Sequence, residues 1–154
     1  MQLTRFTDYS LRVLIFLADR RGAPATIKDV ADAHQISESH LTKVVHRLAK
    51  RGYIKAVRGK GGGISLARAP ATISIGEIVR DVEPLTPAEC FDPNYDGRCA
   101  LYPGCRLRAV LDSAQASFLA NLDARTISDV VTMSDSRTGR GKTSSDRRPK
   151  RRLG

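Results

Sequence analysis

The stretch SESHLTKVVHRLAKRGYIKAVRGKGGGISL, residues 37–66, decides the fold. Its first half sets Leu41, Val44, Val45 and Leu48 at the three- and four-residue spacing of one helix face, with Ser37 or Ser39 as the cap. Gly52 follows where a helix C-terminus favours a left-handed residue. The second half holds two β-prone runs, 53–57 and 64–67, around Arg58-Gly59-Lys60-Gly61-Gly62-Gly63, which predicts a hairpin with a basic, glycine-rich turn. Upstream, Thr26 caps a short helix over 27–33 with Val30 and Ala31 facing inward, after the turn Arg20-Arg21-Gly22-Ala23-Pro24. Before it, a broad apolar face over 6–18 predicts a first helix opened by Thr4 or Thr7. Two short helices joined by a tight turn and followed by a hairpin describe a winged helix-turn-helix, with the helix ending at Lys50 as the recognition element.

Downstream, residues 74–82 predict another short helix. Pro84, Pro87, Pro93, Gly97, Pro103 and Gly104 then prevent regular structure across a loop that contains all three cysteines. From Leu107, the positions Leu107, Val110, Leu111, Ala114, Phe118, Leu119 and Leu122 define a long amphipathic helix to about residue 131. That stripe is too long for one small winged domain to cover, so a second copy of the chain is expected against it. The fold class is therefore mainly α with a small β-hairpin wing. The expected divisions are a DNA-binding winged helix-turn-helix domain over 1–83, a cysteine-bearing loop over 84–106, a dimerisation helix over 107–133 and a basic tail over 134–154.

The net charge of +10 points to a polyanionic partner, because clustered Lys and Arg gain free energy by displacing counterions from phosphates. The tail holds six Arg and two Lys against two Asp and only one large apolar residue, Leu153, so it is expected to be disordered. It reads either as a nonspecific DNA-binding arm or as a solubilising extension. No run approaches the roughly 18 apolar residues of a membrane span, and the expected location is cytoplasmic. Ser37, Ser39, His40, Lys43, His46, Arg47 and Lys50 lie off the apolar face of the recognition helix. On an isolated helix they would read as a solvated face, but with a wing behind them they are candidates for base and phosphate contact. Arg58 and Lys60 supply charge on the wing. The same run fails as a nucleotide loop, since it lacks a Gly-Lys-Ser/Thr ending and has Ile64 where a dinucleotide fingerprint has its third glycine.

Cys90, Cys99 and Cys105 have eight and five residues between them. An odd count without a signal peptide argues against a disulfide framework. With no Cys-x-x-Cys pair and the histidines far away at 34, 40 and 46, a zinc finger fits poorly, and an iron–sulfur cluster remains open. Three structural thiols are the plain alternative, but these cysteines sit among Asp, Pro, Gly and Arg rather than on an apolar face. Three thiolates leave a cluster one ligand short. Nothing resembles a catalytic constellation, so an enzyme is not expected.

The opening Met1-Gln2-Leu3-Thr4-Arg5-Phe6-Thr7-Asp8-Tyr9-Ser10-Leu11-Arg12, the wing Val57-Arg58-Gly59-Lys60-Gly61-Gly62-Gly63-Ile64 and Ile75-Gly76-Glu77-Ile78-Val79 resemble the Rrf-type family of bacterial winged-helix regulators. Arg80-Asp81-Val82-Glu83-Pro84-Leu85, the cysteine trio and Cys105-Arg106-Leu107 narrow the resemblance to that family's nitric-oxide-sensing repressors, over about residues 1–133. It implies a homodimer with a 4Fe-4S cluster, 2Fe-2S being the alternative. The cysteines would supply three ligands and Asp8 from the first helix of the partner subunit the fourth. The iron–sulfur-assembly regulator of the family carries a histidine three residues after its last cysteine, where this chain has Arg108. The resemblance thus implies a repressor that releases operator DNA when nitric oxide attacks its cluster. A sensor of iron–sulfur or redox status is the runner-up, followed by a zinc-stabilised interaction module and an electron-transfer protein. Without the resemblance, Asp8 is an ordinary acid near a helix N-terminus.

Overall fold

The structure, a computed structural model, describes residues 2–102 and 104–131. The expected disordered tail lies outside the described residues. Helix α1 spans Arg5–Asp19, α2 Ile27–His34 and α3 Glu38–Lys50. They are followed by strands β1 (Ile54–Val57) and β2 (Gly63–Leu66), then α4 (Ile75–Val82). After the cysteine loop come α5 (Arg106–Asp123) and a last turn of helix, α6 (Ile127–Val130).

The helices start where side chains can accept from free backbone N–H groups. Thr4 caps α1 by accepting from the Thr7 amide, and Thr26 and Asp29 form a reciprocal capping box on α2. Ser37 holds the cap position of α3 without a side-chain bond to its backbone. The first three helices enclose the core through Val13, Leu14, Leu17, Val30, Leu41 and Leu48, all essentially sealed from solvent. Each large side chain buried here contributes about 1.5–3 kcal/mol.

β1 and β2 pair antiparallel with Ile54 opposite Leu66 and Val57 opposite Gly63. The hairpin is tied back to the loop before α2 by reciprocal bonds between Ala25 and Ile64, at 3.0 and 2.8 Å. Gly63 makes this approach feasible, because its φ is +153° and a Cβ there would lie 2.3 Å from the Ala25 carbonyl oxygen. The result is a wing fixed at its base, with its glycine-rich turn projecting.

The single long helix expected to about residue 131 ends at Asp123 instead. Thr126 and Asp129 form a new capping box, and α6 folds back onto the winged domain. There the Ile127 amide donates to Ile73, the Ile75 amide donates to Arg125, and the Ile127 side chain is fully buried. This return holds α5 against α4, where Arg80 makes a two-pronged ion pair with Asp123 at 2.5 and 2.6 Å. Gly76 lies under that contact, and a Cβ there would fall 2.0 Å from the Asp123 carboxylate and 2.9 Å from its backbone nitrogen. Gly76→Ala is therefore expected to destabilise the chain by about 1–3 kcal/mol in denaturant unfolding. An unchanged midpoint would mean that α5 does not need this close approach.

Candidate functional site

Ser37, Ser39, His40, Lys43, His46 and Lys50 are all exposed along α3, while Leu41, Val44, Val45 and Leu48 hold its opposite face in the core. The Ser37 hydroxyl lies 3.0 Å from His40 Nδ1 and 3.3 Å from the Ser39 hydroxyl, giving the helix N-terminus a fixed polar edge. Arg47 is placed differently. It is half-buried, and its guanidinium donates to the Asp81 carbonyl at 3.0 Å. The Asp81 carboxylate accepts from the Tyr53 hydroxyl at 2.7 Å and faces Arg51 at 3.6 Å. Burial, followed by this carboxylate, pushes the Tyr53 hydroxyl well above its ordinary pKa, so Tyr53 remains a donor. These bonds lock the C-terminal end of α3 to α4 and leave the exposed side chains to face a ligand.

Arg58 and Lys60 are exposed on the wing turn. If they meet phosphate or the minor groove, replacing either with Ala weakens binding, and the slope of log affinity against log salt falls by about one. Titrations at several salt concentrations read this directly. An unchanged affinity and slope would remove the wing from the interface.

α1 connects three parts of the chain. At its N-terminus the Glu83 carboxylate accepts from the Thr4 amide at 3.0 Å, the Thr4 hydroxyl at 2.8 Å and the Thr7 hydroxyl. Glu83 directly precedes the cysteine loop, so that loop begins from a carboxylate anchored on the positive end of α1. One turn on, Arg12 Nε lies 3.0 Å from both Asp8 oxygens. This bond and the charge behind it raise the Arg12 pKa. Both side chains of the pair are nearly half exposed, so the carboxylate remains open to solvent. The neighbouring Tyr9 ring lies 6.3 Å from that of His40 on α3. Phe6, Tyr9, His40, Lys43 and Val44 help line a cavity of about 180 Å³ between the two helices. His34, at the end of α2, packs edge-on against Phe16 with its Nε2 buried and unpartnered. Burial and then Arg12 depress its pKa.

The three cysteines are free, with Cys90 and Cys105 half-buried and Cys99 exposed. They are not drawn onto one centre in this single chain. Among the described residues, no three His, Cys, Asp or Glu side chains are arranged to hold a metal ion. The loop instead satisfies itself locally. Asp92 and Asp96 accept from the amides of Asn94 and Arg98, and the Cys99 amide donates to the Tyr95 hydroxyl at 2.7 Å. Three free thiols remain a donor set suited to iron or another thiophilic metal. Cys105 occupies the N-cap position of α5 without a side-chain bond to the helix backbone.

Residues 3–133 match the model of the Rrf2 family, described as an iron-dependent transcriptional regulator. The chain belongs to the Rrf2 family. It is 48% identical over 133 residues to the HTH-type transcriptional regulator NsrR of Bacillus subtilis strain 168, covering 85% of this chain and 90% of that protein. Among solved structures it is similar to T. potens IscR, with a TM-score of 0.66 and 27% identity over 84% of this chain and 85% of that one. It is also similar to CymR, the global cysteine regulator of B. subtilis, with a TM-score of 0.69 and 27% identity over 88% of this chain and 99% of that one. The protein is a DNA-binding transcriptional regulator of the winged-helix type, and its relatives are regulators rather than enzymes. Among the described residues, no helix is long and apolar enough to cross a membrane.

Sequence reasoning missed the Glu83 anchor and the Asp81 junction. Both join residues tens of positions apart, and neither alters a local periodicity.

Proposed function

We propose that this Rrf2-family regulator is a nitric-oxide-responsive repressor whose hold on operator DNA depends on an iron–sulfur cluster. The cluster is 4Fe-4S, held by Cys90, Cys99 and Cys105 of one chain and Asp8 of the partner subunit in a homodimer. The observation that carries this reading is the pairing of three free thiols on one loop with an open carboxylate on α1. The 48% identity to a regulator named NsrR supports the nitric oxide signal, and Arg108 at the position of the assembly regulator's histidine supports it over an iron–sulfur-status sensor. A bound cluster supplies an iron open to attack, because a carboxylate oxygen binds iron less well than sulfur does.

The chain's own residues carry the rest. Asp8 would supply the carboxylate ligand, and Arg12, which lies within hydrogen-bonding distance of both its oxygens, would hold that carboxylate when it binds no metal. Tyr9 beside it reaches His40 on the recognition helix, so a shift of α1 is felt at the DNA-contacting face. Ser37, Ser39, His40, Lys43 and His46 read or grip the major groove, and Arg58 and Lys60 hold the backbone. Arg47 acts through its bond to Asp81 by setting the angle of α3. The wider division follows, with 1–83 binding DNA, 84–106 holding the cluster and the helical segment after it joining the two copies.

Anaerobic purification tests the cofactor. Brown protein with iron and acid-labile sulfide in matching amounts is expected. Colourless protein containing stoichiometric zinc would support the zinc-stabilised module instead.

A further inference from the structure

Arg108 lies in the first turn of α5, half-buried, with its guanidinium carbon 5.3 Å from the centre of the Phe91 ring and 5.7 Å from that of Tyr102. A planar cation held against two aromatic faces is a directional contact, which a point charge on a flexible stem does not reproduce. The two rings are not arbitrary parts of the loop. Phe91 is the neighbour of Cys90, and Tyr102 lies between Cys99 and Cys105. Tyr102 also meets Tyr95 edge-on at 5.6 Å, and the Tyr95 hydroxyl accepts from the Cys99 amide at 2.7 Å. Cys105 caps the helix that carries Arg108. Cys90 is thus one peptide from a ring that Arg108 covers, Cys99 is bonded to the other through the Tyr102 amide, which donates to the Cys99 carbonyl at 2.9 Å, and Cys105 lies three residues before Arg108.

We propose that Arg108 is a positioning residue that clamps the cysteine loop onto α5 before any metal is present. Bringing the three thiols together then starts from a loop already held on α5 rather than from a wholly free segment. Fixing a free loop costs conformational entropy for each residue ordered, so a clamp that orders most of it in advance raises affinity for a three-thiol ligand. The purpose assigned to the clamp rests on the cluster reading above, whereas its existence does not.

The test uses the full chain without metal. Hydrogen exchange of the amides over 91–102 is compared in the parent, Arg108→Met, Arg108→Lys, Tyr102→Leu and Tyr102→Phe. Arg108→Met, Arg108→Lys and Tyr102→Leu are expected to speed exchange there about tenfold, while the protection of α1 to α4 is retained and Tyr102→Phe matches the parent. Arsenite, which binds three thiols at once without iron, is the second probe. The same three variants should bind it about tenfold more weakly, and Tyr102→Phe should bind it as the parent does. Equal exchange in all five proteins would remove the clamp. Faster exchange with unchanged arsenite affinity would show that the clamp does not serve the thiols, and would overturn the proposal as well. A parent that binds arsenite more tightly than the variants but takes up no iron–sulfur cluster would sink the cluster reading and leave the clamp standing.

Discussion

Alanine in place of any one of Cys90, Cys99 or Cys105 is expected to abolish iron–sulfur absorption and specific operator binding together. Affinity should fall about 10³-fold or more, into the range of nonspecific DNA binding, because the contacts that discriminate the operator depend on both recognition helices being held in register. The loss should not reflect unfolding. All three thiols lie outside the sealed core formed by α1 to α4 and α6, so each variant should keep the parent's helical signal and unfolding midpoint. Asp8→Ala is the informative contrast. It leaves three thiolates and frees Arg12 from its only described ion pair, so the cluster is retained with an exogenous fourth ligand while the response to nitric oxide changes. Cysteine variants that bind the operator as tightly as the parent would separate DNA binding from the cluster.

The second large effect is expected at α5. This 18-residue helix has no buried residue in the single chain. Leu107 and Val110 are 59% and 63% exposed, and Leu101 in the adjoining loop is 63% exposed. Apolar side chains in a row on one helix call for a partner, and the proposed occupant is α5 of a second copy. Leu107→Asp with Val110→Asp should convert the proposed dimer to a monomer in sedimentation. Operator affinity should fall at least about 10²-fold, since the second half-site would then be bound from solution. These two positions test the interface better than Phe118 and Leu122, which are half-buried against their own chain, Phe118 beside Leu3 and Pro84. An intact dimer in the double variant would place the interface elsewhere.

The parts of the fold that were legible in the sequence are those governed by local rules. The period of α3, the caps at Thr4 and Thr26 and the glycine-rich wing each leave a signature within a few residues. The break between α5 and α6 was missed, because the apolar stripe reads as one continuous helix although Thr126-Ile127-Ser128-Asp129 has the residues of a capping box. The bonds of Glu83 to α1 and of Arg47 to Asp81 were not legible, because each depends on two helices meeting in space. The cysteine loop sits between these cases. Its residue types pointed to a thiol centre, but no periodicity describes its path, and the stacking of Arg108 on Phe91 and Tyr102 emerged only from the structure.

The most direct test of the whole account follows operator affinity and the visible absorption of cluster-loaded protein together as nitric oxide is added without oxygen. The two are expected to fall in step, and apo protein should start from the low-affinity end and not respond. Tight operator binding by apo protein, or an affinity that stays constant while the absorption is bleached, would contradict it.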